Sequence, residues 1–156
     1  KSINIKVFEK VKPLENVIPA FSLNRENIVK EYEDKTPSLS QRLKAIVKLQ
    51  KLGWSIGLRF DPLIYCDEKE VYEKFFNGVF ELIDTNKIHS VTLGRFRMPS
   101  RYLKRISKVR PDNYLIQYEN AKRVFPGLDQ NYDKFNQTFI IKLLTGFIEK
   151  ERIFVN

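Results

Sequence analysis

The sequence predicts an α/β fold with a parallel sheet. Short β-like runs alternate with helical patterns along the chain, and each strand candidate has one bulky apolar face. The composition is also sufficient to bury a core. Of 156 residues, 42% are hydrophobic, with twelve Phe, seven Tyr and one Trp, which excludes wholesale disorder and fits the size of one domain. The sequence contains no internal repeat, low-complexity segment or Gly/Ser- or Pro-rich linker.

Val17 to Leu23 is a short apolar run and the first strand. Asn24 reads as the N-cap of a helix in which Ile28, Val29 and Tyr32 take helical spacing. Pro37-Ser38 opens a second helix, where Ser38 and Gln41 form a capping-box pattern. Its stripe is Leu39, Leu43, Ile46, Val47 and Leu49, and Gly53 stands where a C′ residue belongs. Trp54 to Asp61 is the second strand, stopped by Pro62. A helix over Lys69 to Ile83 carries Tyr72, Phe75, Phe76, Val79 and Phe80. Ile88 to Phe96 is the third strand, and Pro99 suits the first turn of a helix with Tyr102, Leu103 and Ile106. Spacing in that helix favours core packing for Tyr102 over the other role open to it, stacking on an exposed base. A last helix carries Tyr132, Phe135, Phe139, Ile140, Leu143, Phe147 and Ile148.

Alternation sorts each strand into two faces. Val17, Pro19, Phe21 and Leu23 oppose Ile18, Ala20 and Ser22. In the second strand Ile56, Leu58 and Phe60 oppose Gly57, Arg59 and Asp61. In the third, His89, Val91 and Leu93 oppose Ser90, Thr92 and Gly94. The bulky faces suit packing under helices. A filled eight-stranded barrel wants branched bulky residues inside, so the small or polar faces point to an interior that holds a ligand. Ordinary amphipathic strands on one side of an open sheet would read the same way.

Several chemistries are excluded. No apolar run approaches the roughly 18 residues of a membrane span, and the start carries no signal-peptide pattern. Cys66 is the single cysteine and His89 the single histidine. The chain by itself therefore builds neither a Cys/His zinc site nor an iron–sulfur cluster on several thiolates. One cysteine also fits a reducing, cytoplasmic location. Nothing links Cys66 to His89 as nucleophile and base, and neither a P-loop nor a G-x-G-x-x-G fingerprint occurs. Asp61, before Pro62 at a strand end, occupies the place where parallel α/β folds bind ligands, although Asp-Pro also forms turns. The strongest charge feature is Arg95 to Arg110. It holds Arg95, Arg97, Arg101, Lys104, Arg105, Lys108 and Arg110 and no acid, in a chain of formal charge +9. Such a run can neutralise phosphates; a solvated helix face is its bland alternative.

Taken in order, Ser22-Leu23-Asn24, Tyr32-Glu33, Thr36-Pro37-Ser38, Arg42-Leu43, Asp61-Pro62-Leu63-Ile64-Tyr65 and Arg95-Phe96 with Pro99 resemble the C-terminal half of spore photoproduct lyase and its relatives. Gly53-Trp54 through Asp61-Pro62 looks like the DNA photolyase-like branch of that radical-SAM family. The similarity covers roughly Lys1 to Pro111. It implies the C-terminal half of a radical-SAM (β/α)6 barrel, a partial parallel (β/α) barrel over 1–111, with 112–156 as a helical extension of the same domain.

The resemblance also implies chemistry. In that family a C-x-x-x-C-x-x-C loop holds a [4Fe–4S] cluster that cleaves S-adenosylmethionine (AdoMet), and the resulting radical starts reversal of a thymine dimer in DNA. The cluster would reach this chain only through a missing N-terminal half or a split subunit. Lys1, Ser22 and Asp61 correspond to positions implied to hold the amino acid moiety of AdoMet. Arg95, Arg97, Arg101, Lys104 and Arg105 are the expected DNA contacts. The family's W-G-R-Y-G-x-G-K tail is not visible after Pro111, where the chain reads Asp112-Asn113-Tyr114-Leu115-Ile116-Gln117-Tyr118. A radical-SAM relative with another substrate, and a non-catalytic basic module for nucleic acid, therefore stand as alternatives.

Overall fold

Four parallel strands stand side by side in the order in which the chain makes them: β1 (Ala20–Ser22), β2 (Ile56–Leu63), β3 (Ile88–Arg95) and β4 (Ile153–Val155). This is a computed structural model, and the residues it describes are 2–64, 69–96, 98–117 and 130–156, with side chains in the last stretch from 137 onward. Lys1, Cys66 and Arg97 lie outside the described residues. Each crossover steps to the next strand in the same direction. A doubly wound sheet would reverse order at a switch point, whereas a barrel wall does not. The partial (β/α) barrel expected from the sequence is thus the architecture observed.

The helices bounded within the described residues are α1 (Lys6–Glu9), α2 (Glu26–Tyr32), α3 (Leu39–Lys51), α4 (Lys69–Phe80), α5 (Ser100–Val109) and α6 (Gln130–Leu144), and residues 114–117 are helical as well. The chain forms two compact units, Lys1–Arg95 with Ile141–Asn156, and Phe96–Ile140. In the first unit Phe21, Leu58, Phe60, Val91 and Leu93 are buried on one side of the sheet, as are Leu43, Ile46 and Leu49 of α3 and Tyr72, Phe76 and Val79 of α4. Phe76 meets Phe60 edge-on with centroids 4.9 Å apart, and Phe147 stacks on Phe80 at 4.6 Å. None of the described helices is long and apolar enough to cross a membrane.

Local chemistry explains the boundaries of α3. Ser38 Oγ accepts from the Gln41 N–H, and the Gln41 side chain accepts from the Ser38 N–H, which completes the box. At the other end Gly53 takes φ +93°, with Gly53 N–H to Gln50 O and Trp54 N–H to Leu49 O. That bond pair is a Schellman ending, and its left-handed residue is the reason for a glycine there.

Five sequence expectations are corrected. Pro62 does not stop the second strand, because β2 carries it in a bulge and pairs again at Leu63. Asn24 does not cap α2; the N-cap is Arg25, without a side-chain cap bond, and Asn24 is drawn into a buried network described below. His89 leaves the Val91/Leu93 face and is exposed. Ile88 pairs with Ile56 but Ser90 with Gly57, so His89 is the extra residue of a bulge. Tyr102 is 58% exposed rather than core. The last helix ends at Leu144, after which a 3₁₀ turn (Lys150–Arg152) leads into β4, an additional strand.

Candidate functional site

The face of the sheet away from α3 and α4 is small and polar. Paired residues of parallel strands project to the same side, so the register defines its rows. Ala20, Gly57 and Ser90 form one row; Ser22, Arg59, Thr92 and Phe154 form the next toward the C-terminal ends. Arg59 and Phe154 are exposed there, and Ser22 and Thr92 are half-buried. Asp61 follows at the strand end. A second bulge, where Phe60 pairs with Leu93 and Leu63 with Arg95, gives β2 one extra residue around Asp61 and Pro62, whose peptide bond is cis.

Gly94 makes the seat for Asp61. A Cβ on Gly94 would overlap the Asp61 carboxylate, whose Oδ2 lies 2.5 Å from that ideal position. Only a residue without a side chain lets the carboxylate lie against the β3 backbone. Gly57 has a related role lower on the face, because its Cβ would stand 3.2 Å from Ala20 Cβ.

Two clamps fix the strand ends from behind. The first is centred on Arg42, which is 2% exposed. Arg42 Nη1 donates to Ser22 O at 3.0 Å, Nε to Pro37 O at 2.9 Å, and Nη2 to Thr36 Oγ1 at 2.8 Å and Glu33 Oε2 at 2.5 Å. Asn24 Nδ2 donates to the other Glu33 oxygen at 2.7 Å. The charges are compensated, and the guanidinium ties the end of β1 to α3. The second clamp holds Ile64 O, which accepts from Arg25 Nη2 at 3.1 Å and Tyr72 Oη at 2.9 Å; Arg25 also lies 5.3 Å over the Tyr72 ring. Leu23 N–H donates to Arg59 O at 2.9 Å and locks the two strand ends together.

The structure therefore brings Ser22 and Asp61 to one face of adjacent strands. Lys1 lies outside the described residues. Between Ser22 and Asp61 stands Arg59, which the sequence reasoning placed on the right face but did not include among the site residues. Its signal was plain alternation from Asp61. This arrangement offers a hydroxyl, a guanidinium and a carboxylate to a ligand carrying both charges.

The basic residues are distributed differently. Arg95 ends β3 and is exposed, and Arg97 is outside the described residues. Arg101, Lys104 and Arg105 are all exposed on α5, in the second unit. Leu103 is the buried residue of that helix.

Comparison with known proteins follows the same direction. The family model described as "Spore photoproduct lyase" matches residues 12–132. Spore photoproduct lyase of Bacillus subtilis (strain 168) is 29% identical, over 66% of this chain and 31% of its own length. A solved spore photoproduct lyase double mutant, with bound AdoMet and dinucleoside spore photoproduct, superposes with a TM-score of 0.62 at 18% identity, covering 87% of this chain and 43% of the other. The chain thus spans less than half the length of these relatives.

Proposed function

We propose, from the premise that this chain belongs to the spore photoproduct lyase family, that it is the C-terminal part of a radical-SAM DNA-repair lyase. In this reading the small, polar face of the sheet supplies part of the AdoMet site. Asp61 takes the α-ammonium, Ser22 a neighbouring polar atom, and Arg59 with Lys1 the α-carboxylate, each through charge-assisted hydrogen bonds. The observation that carries it is the placement of Ser22, Arg59 and Asp61 on one face at the ends of β1 and β2, with Gly94 making room for the Asp61 carboxylate. Ligands of parallel α/β folds sit at that end.

The [4Fe–4S] cluster does not fit this chain alone, since its only cysteine is Cys66. The cluster would be held by residues outside these 156 and, when bound, supplies the electron that cleaves AdoMet. The chain as given is then inactive as a lyase. Its own residues bind and orient. Arg95, Arg97, Arg101, Lys104 and Arg105 are proposed to meet DNA phosphates, with a thymine dimer as the substrate of the whole enzyme. The exposed cations of α5 equally favour a second reading, a basic α/β module that binds nucleic acid without catalysis.

Calorimetry with AdoMet on the wild type and Asp61→Ala tests the cofactor reading. Weak binding by the wild type that falls at least tenfold in Asp61→Ala, with an unchanged melting temperature, is expected. Equal binding by both removes Asp61 from the site, and no binding by the wild type favours the module.

A further inference from the structure

We propose that α5 grips an unpaired stretch of DNA and that Tyr102 is the platform on which one base stacks. This rests on the nucleic-acid reading above and adds the form of DNA recognised. At 100° per residue Arg101, Arg105 and Lys108 fall within about 60° of one another, spread over roughly 10 Å of axis. Tyr102 and Val109 line the next sector. All five are exposed, Tyr102 by 58% and Val109 by 70%.

Two features of this helix are unfavourable for the fold alone. Arg101–Arg105 and Lys104–Lys108 are like-charged i,i+4 pairs, each destabilising by a few tenths of a kcal/mol in isolated helices. Arg101 also sits in the first turn, where the dipole disfavours a cation and where the helix carries no acid. No acidic residue occurs between Arg95 and Arg110 to relieve the crowding. A polyanion relieves both. A duplex backbone would use the cations but leave the Tyr102 ring in water. A single strand uses the two together, its phosphates along Arg101, Arg105 and Lys108 and one base on the ring. The ring borders the cationic sector, so a base turned out from that backbone reaches it.

The test is fluorescence anisotropy on the full chain with a labelled single-stranded DNA, the same strand with abasic sites, and a duplex, across a salt series. Tyr102→Ala is expected to weaken single-strand binding about 5- to 150-fold, with the salt slope and melting temperature unchanged. Tyr102→Phe is expected to retain the affinity. On the abasic strand wild type and Tyr102→Ala should bind alike. Arg105→Ala should reduce the single-strand salt slope by about 0.7. Binding that keeps its salt slope but ignores Tyr102→Ala overturns the platform and leaves the DNA reading intact. Failure of the wild type to bind any DNA at low salt defeats the DNA reading, and with it this inference.

Discussion

A methyl group at position 94 would collide with the Asp61 carboxylate, so that carboxylate and the glycine beneath it form one unit. Alanine at 94 forces either the carboxylate or the β3 backbone to move. Overpacking of this kind costs about 1–3 kcal/mol. We expect Gly94→Ala to lower stability within that range in urea titrations and to weaken AdoMet binding as strongly as Asp61→Ala does. Native stability with native AdoMet affinity would show that Asp61 is not held by its contact with Gly94. At this scale much was legible from the chain. Alternation alone put Asp61, Arg59 and Gly94 on the small-residue face. His89 was misassigned because a bulge is decided by cross-strand pairing, which no local pattern encodes. The preference for Tyr102 in the core fails because helical spacing places a residue on a stripe without saying whether anything covers that stripe.

Among the elements, the buried Arg42 network does most to join what the sequence separates. It unites the end of β1 through Ser22 O, the α2–α3 connection through Thr36 and Pro37, and α2 through Glu33. Removing only the guanidinium leaves Glu33 buried without its counter-charge. Arg42→Met is therefore expected to cost about 3–5 kcal/mol. Adding Glu33→Leu should restore part of the loss, because the second change removes the stranded charge. Urea denaturation of the single and double variants measures both; a single-variant loss below about 1 kcal/mol would mean that water replaces the guanidinium. The ends of α3 were readable because Ser38, Gln41 and Gly53 act on neighbours a few residues away. The network was not readable as a network, since Asn24, Glu33 and Arg42 meet only in three dimensions. β1 and β4 are three residues each, and β4 was missed because so short a run carries no periodicity.

For the whole molecule, four parallel strands in sequential order are a barrel wall, and on its face away from α3 and α4 Phe154 is 52% exposed. The relatives are longer, this chain matching 31% of one and 43% of another. The edges β1 and β4 are short, a feature that limits edge-to-edge association. Titration of the isotope-labelled chain with AdoMet, followed by proton–nitrogen correlation spectra, tests most directly whether the face away from α3 and α4 is the cofactor face. Amide shifts are expected at Ser22, Arg59, Asp61, Thr92 and Gly94, with α3 and α4 unmoved. Saturating AdoMet that leaves those five in place, or shifts confined to α3 and α4, would contradict it.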